Sequence, residues 1–191
     1  SQTSTRSVIL HGHQKGNVCM VADAVAAYLQ TALTREVWVS LPEFMRPPSW
    51  KNLGYDDPII RLDRALYGHP ESGAAWEARA EEVLMSLGWE RIEGWPSTYL
   101  HPKSGVALAV YVDDFLYSGP EDQIKKRHEE ISKQIEFGDI EPLRRYLGCY
   151  YERTPRPDGG CDIELNMKDF AAQCVDCYID VVKKAAEREG R

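Results

Sequence analysis

No stretch of this sequence is apolar for long enough to cross a membrane as a helix. The longest uninterrupted apolar run, Val106 to Val112, falls far short of the roughly 20 residues such a span requires. Cations are scarce as well: 23 Lys and Arg stand against 30 Asp and Glu, a formal net charge of -7. Binding nucleic acid needs Lys and Arg clustered against phosphate, so the deficit argues against the chain holding nucleic acid unaided, although a local basic channel is compatible with it. A second metal-type cysteine pair is also missing. Cys174-Val-Asp-Cys177 has metal-ligand spacing, but with no partner pair it reads as two small residues on a helix. The five cysteines, Cys19, Cys149, Cys161, Cys174 and Cys177, are odd in number, and no secretory n-region or h-region opens the sequence. A reduced intracellular setting, a cytoplasmic particle or the nucleus, is therefore expected. Internal repeats and low-complexity tracts are absent too, which excludes solenoids and compositionally disordered segments.

What is present suits a soluble globular chain. Its 191 residues, 43% hydrophobic and 28% charged, are enough for one domain with a sizeable core. The stretch the rest is organised around is Val106 to Gly119. Apolar, partly β-branched residues run up to Asp113-Asp114, and Phe115-Leu116-Tyr117 follow. The pattern predicts a β-hairpin whose turn carries two adjacent carboxylates. Neighbouring strand side chains point to opposite faces, so the two acids separate where the backbone bends. Two readings fit: Asp chosen for turn propensity, or a carboxylate pair held at the tip of buried strands.

Along the chain, Ser1 to Gly16 is polar and weakly patterned and reads as a frayed terminus or the stump of something removed upstream. Asn17 to Asp23 reads as a buried strand ending on an acid, and Glu36 to Leu41 as a further strand. Prolines, Asn52-Leu-Gly54 and Asp56-Asp57 mark Pro47 to Pro58 as a loop, with the acids in a solvated turn. Ile59 to Leu62 predicts a short strand. A helix starts near Ser72, carries Trp76, Ala80, Val83, Leu84 and Leu87 on one face, and stops at Gly88. Gly119-Pro120-Glu-Asp opens another helix, with Ile124, His128, Ile131 and Ile135 inward and Lys125, Lys126, Arg127 and Lys133 on a solvated face. His128 reads as a core histidine. Cys149–Arg153 and Cys161–Leu165 predict a hairpin, and Met167 to about Glu189 a closing helix capped by Asn166, with Asp169 as its reciprocal partner.

Several of these blocks together resemble the reverse transcriptases of Ty1/copia retrotransposons. Tyr-Val-Asp-Asp at Tyr111–Asp114 resembles the catalytic hairpin. Asp23-Ala-Val-Ala-Ala27-Tyr28-Leu29, followed by Val37-Trp-Val-Ser-Leu-Pro42, resembles the first catalytic motif. Leu66-Tyr67-Gly68 with Trp76 further on resembles the segment that supports template and incoming nucleotide. Gly94-Trp95-Pro96-Ser97-Thr98-Tyr99-Leu100-His101 and Phe137 to Gly148 resemble the stretches flanking the hairpin. The resemblance runs from about Val18 to Tyr178 and departs at Gly73, where Pro is usual, and at His69-Pro70-Glu71-Ser72, which loses a cation and gains an acid.

That resemblance implies an α+β polymerase palm: a ferredoxin-like antiparallel sheet with helices on one face, plus a small C-terminal hairpin and helix. It divides the chain into an N-terminal segment (1–16), the palm (17–148) and a primer-grip-like hairpin with the start of a thumb helix (149–191). It implies RNA-directed DNA polymerase activity by two-metal nucleotidyl transfer. Asp23, Asp113 and Asp114 would be the catalytic and Mg²⁺-binding acids, with Mn²⁺ as a substitute ion. Tyr28 would be the gate against a 2′-hydroxyl, and Tyr67, Gly68, Tyr111 and Val112 further substrate contacts. Implied partners are an RNA or DNA template with its primer, deoxynucleoside triphosphates, and the fingers, thumb and RNase H parts of a polyprotein. Only Arg6 and Lys15 supply positive charge among the residues before Asp23, so a fragment of a longer polyprotein, or of a decayed copy, is expected. Two alternatives compete: an inactive palm kept as a folding or interaction module, and an unrelated ferredoxin-like RNA-binding domain. The second conflicts with the acidic charge and with carboxylates at a strand turn.

Overall fold

The computed structural model describes residues 2–158 and 160–188. The first half contains α1 (Gln2–Gly12), β1 (Val18–Asp23), β2 (Ala32–Ser40), α2 (Pro48–Asn52), β3 (Ile59–Arg64) and α3 (Ser72–Ser86). It continues with β4 (Glu90–Arg91), β5 (Thr98–His101), β6 (Val106–Tyr111), β7 (Asp114–Gly119) and α4 (Glu121–Ser132). The last part holds β8 (Glu141–Pro142), β9 (Arg145–Tyr146), β10 (Cys149–Pro155), β11 (Cys161–Asn166) and α5 (Lys168–Arg188). Ser1, Gly159 of the expected C-terminal turn, and Glu189 of the expected closing helix lie outside the described residues.

Six antiparallel strands form the main sheet in the order β4-β5-β6-β7-β1-β8. Within it, β1-α3-β6-β7-α4-β8 is a βαββαβ succession with spatial order β6-β7-β1-β8, the ferredoxin-like arrangement. Alternation along the central strands explains the layering. Met20, Ala22, Val106, Leu108, Phe115 and Tyr117 pack with Trp76, Val83, Leu84, Ile124 and Ile131 of α3 and α4. The intervening Cys19, Ala107, Ala109 and Leu116 face the other way and pack with Val8, Ile9 and Tyr146.

That second layer corrects two expectations. Helices cover both faces of the sheet, not one, and residues 2–12 form a helix rather than a frayed end. Ser4, Val8 and Ile9 are buried, and Gly12 sits so tightly against β1 that a Cβ there would lie 2.1 Å from Cys19 Sγ and 2.9 Å from the Val18 carbonyl oxygen. The Pro47–Pro58 loop also contains a short helix, α2, begun by Pro48 at its first position. Asp57 stays in solvent as expected, yet its carboxylate accepts hydrogen bonds from Arg46 at 2.7 Å and Ser40 Oγ at 2.8 Å.

Strands β2 and β3 pair only with each other, as an arm between β1 and α3. Its two ends meet where the Ala65 N–H donates to the Thr31 carbonyl at 2.8 Å. In α4, His128 is the core residue expected: it is buried, its Nδ1 lies 3.2 Å from the Tyr117 hydroxyl, and burial lowers its pKa. Strand β10 pairs with β11 and β9 in a separate small sheet. Asn166 caps α5 by accepting the Lys168 N–H at 3.0 Å, while among the described residues no bond from Asp169 reciprocates. No residue of α5 is buried.

Candidate active site

Every feature of the site follows from where β1 and β7 end. In their antiparallel ladder, Asp23, the last residue of β1, lies directly opposite Asp114, the first of β7. Asp114 is paired on its other side with Tyr111 of β6, leaving Val112 and Asp113 as the two-residue turn. The Ala24 N–H donates to the Asp113 carbonyl at 2.8 Å, and the Gly138 N–H to the Asp23 carbonyl at 2.9 Å. Main-chain bonds thus pin both acidic segments, although 90 residues of sequence separate Asp23 from Asp113.

Like charges placed directly across a strand pair repel, and these do. Asp23 has its pKa raised by burial and then by the nearby charge of Asp113. Asp114 is pushed up to about 6, by burial first and then by Asp113 and Asp23. The three acids are therefore one electrostatic cluster, gathered from two places in the sequence. Among the described residues no three His, Cys, Asp or Glu side chains stand together in metal-holding geometry. The donor set still fits a hard divalent cation. Such ions take carboxylate oxygens, and Mg²⁺ uses only one or two of them because it keeps water and phosphate ligands.

The turn itself is strained. Val112 has φ 56, a left-handed conformation that a β-branched residue adopts at a cost of about 1–3 kcal/mol. Trp76 holds it: from α3, the buried indole Nε1 donates to the Val112 carbonyl at 2.6 Å. The other non-glycine residues with positive φ among those described are Ala26, Ser97 and Leu147. Ala26 opens the 3₁₀ turn that carries Tyr28, and Ser97 and Leu147 line cavities that reach Tyr111. Backbone strain of this kind concentrates at functional sites. No sequence signal marks these positions, because none is glycine.

A cavity of about 250 Å³ opens beside the hairpin, with Tyr28, Gly73, Trp76, Tyr111 and Val112 in its wall. The structure thus brings Tyr28, Tyr111 and Val112 together. Tyr67 joins them through Tyr28, its ring centroid 4.6 Å away. Gly68, with φ +89 and nothing near its Cβ position, serves the turn and does not line the cavity.

A ferredoxin-like sheet with clustered acids at the tips of two neighbouring central strands is the layout expected of a polymerase palm. The chain belongs to the reverse transcriptase (RNA-dependent DNA polymerase) family, whose model matches residues 4–179. Its relatives place it with the Ty1/copia type. It is 25% identical over 154 residues to a putative transposon Ty5-1 protein of Saccharomyces cerevisiae, covering 79% of this chain and 47% of that protein. Over 138 residues it is 28% identical to a retrovirus-related Pol polyprotein from transposon RE2 of Arabidopsis thaliana, covering 70% of this chain and 9% of that protein. A truncated transposon Ty1-A Gag-Pol polyprotein of S. cerevisiae is 32% identical over 116 residues, 60% of this chain and 9% of that protein. The chain therefore spans under half the length of these relatives. Among the described residues no helix is long and apolar enough to cross a membrane.

Proposed function

We propose that this chain is the palm of an RNA-directed DNA polymerase, adding deoxynucleotides to a primer on an RNA or DNA template. The observation that carries this reading is the pairing of Asp23 with Asp114 across β1 and β7, with Asp113 in the adjoining turn. When bound, two Mg²⁺ ions (or Mn²⁺ in their place) would stabilise the attacking and leaving oxygens of phosphoryl transfer. Asp23 and Asp113 would be the main ligands. Asp114 would act less directly, by setting the charge of the cluster. Tyr28 would pack beneath the sugar in the cavity beside the hairpin and exclude a 2′-hydroxyl. Tyr111 and Val112 would contact the substrate from the hairpin, and Tyr67 and Gly68 would shape the approach from the α3 side. Template, primer and the remaining parts of a longer polyprotein would complete the enzyme, because a net charge of -7 disfavours primer–template binding by this chain alone.

Two measurements on wild type and Asp113→Asn test the reading. Bound divalent ion stabilises the folded state by mass action, so Mg²⁺ is expected to raise the melting temperature of wild type more than that of the variant. Extension of a DNA primer on RNA is expected to require both Mg²⁺ and Asp113. Equal melting shifts would mean the acids form no metal site. A wild-type shift with no extension, even when the neighbouring polyprotein segments are supplied, would identify an inactive palm.

A further inference from the structure

We infer that Tyr67 is a positioning residue for sugar selection, holding the ring of Tyr28 in the orientation that excludes a 2′-hydroxyl. The inference rests on the polymerase reading above and adds a second residue to the gate. Tyr28 sits on a one-turn 3₁₀ helix that follows a strained residue, Ala26 at φ 47. Its backbone is well fixed. Gln30 donates to the carbonyls of Val25 and Glu136 at 2.6 and 3.0 Å, and its side-chain oxygen accepts the Glu136 N–H at 2.8 Å. Its ring is less so: it is half-buried and only borders the main core. What lies against the ring is Tyr67, centroid to centroid 4.6 Å, tilted by 39°. Offset aromatic pairs at this spacing favour one mutual orientation.

Tyr67 can brace another ring because its own turn is rigid. The Ser72 hydroxyl donates to the Leu66 carbonyl at 2.7 Å and accepts the Leu66 N–H at 3.0 Å. The His69 N–H bonds the Leu66 carbonyl at 3.1 Å, and the Ala65 N–H ties the start of the turn to Thr31. The turn is thus closed on itself and joined to the segment carrying Tyr28. Tyr67 is 51% exposed, so packing in the core does not account for a large aromatic there. A Cβ on Gly73 would lie 3.8 Å from the Tyr28 hydroxyl, an ordinary contact. Tyr28 thus has Tyr67 against its ring and borders the cavity it shares with Gly73, Tyr111 and Val112.

The experiment compares wild type, Tyr28→Ala, Tyr67→Ala, Tyr67→Phe and the double alanine variant in Mg²⁺-dependent extension, with deoxy- and ribonucleoside triphosphates compared as a ratio. In parallel, a fluorotyrosine placed at position 28 reports its ring environment by ¹⁹F NMR. Tyr67→Ala is expected to lower the deoxy-to-ribo ratio roughly three- to tenfold, as loss of one aromatic pair implies, and to shift and average the ¹⁹F signal. Tyr67→Phe, which keeps the ring, is expected to retain both ratio and signal. In the Tyr28→Ala background, removing Tyr67 is expected to change nothing further. A ratio lost in Tyr28→Ala but unchanged in Tyr67→Ala would overturn the inference and leave the polymerase reading intact. A ¹⁹F signal that ignores Tyr67→Ala would overturn it as well, even if the chain supplied with the neighbouring polyprotein segments extends no primer, which would count against the polymerase reading alone.

Discussion

Asp114 is a carboxyl group whose protonation the fold favours, and this sets a direction for stability against pH. Its native pKa is about 6, above the unfolded value near 3.8. Between those values the folded state binds more protons than the unfolded one, so stability falls as pH rises through that window. Because the group is about half exposed, the loss is discounted to about 1–2 kcal/mol. Urea unfolding from pH 4 to pH 8 is expected to show this fall superposed on the opposite contribution of His101 and His128, whose pKa values burial lowers. Asp114→Asn is expected to flatten it and to be more stable than wild type at pH 7. An unchanged pH dependence in the variant would show that Asp114 is not the group responsible. At this scale the placement of the acids was legible, because Asp23 closes and Asp114 opens an apolar strand and Asp113 stands in the turn beside them. The hydrogen bond from Trp76 to the Val112 carbonyl was not, since periodicity marks Trp76 only as a core residue and nothing in the sequence reports where its indole N–H points.

Among the elements, α1 is the longest that sequence pattern does not disclose. Val8, Ile9 and Leu10 are contiguous, so they form no three-to-four-residue stripe, and the helix meets the sheet through two of them together with the small residues Ser4 and Gly12. Close approach substitutes for area. Gly12→Ala is therefore expected to cost about 1–3 kcal/mol by overpacking against Cys19 and the Val18 carbonyl. Chemical denaturation would read the loss, and a neutral result would mean that the helix can retreat from β1. By contrast, β1, β6 and β7 were readable as short continuous apolar runs, α3 and α4 by their three-to-four-residue apolar period, and the β10–β11 hairpin because turn residues separate two strand-like runs. The short helix α2 hid behind prolines that mark loops as readily as they begin helices.

For the molecule as a whole, the contrast is between a sheet packed on both faces and an α5 with no buried side chain. Phe170, Val175, Tyr178 and Val181 are exposed on that helix. Helical stability in proteins comes mostly from packing of an apolar face, so α5 amides are expected to exchange with solvent far faster than those of β6 and β7. Hydrogen exchange resolved by residue would check this, and comparable protection in the two regions would show that α5 is held by contacts absent here. The bond between Ala65 and Thr31 at the foot of the β2–β3 arm has a different kind of consequence. Because the arm leaves and rejoins the body beside Thr31 and Ala65 and is tied to it further out by the Arg35–Glu71 ion pair, most of what lies between is topologically a detour. Such a detour can be lengthened, shortened or exchanged for another module while Asp23 and Tyr67 keep their distance. Descendants of this fold can thus vary the far end of the arm while its foot and the Arg35–Glu71 pair stay in place.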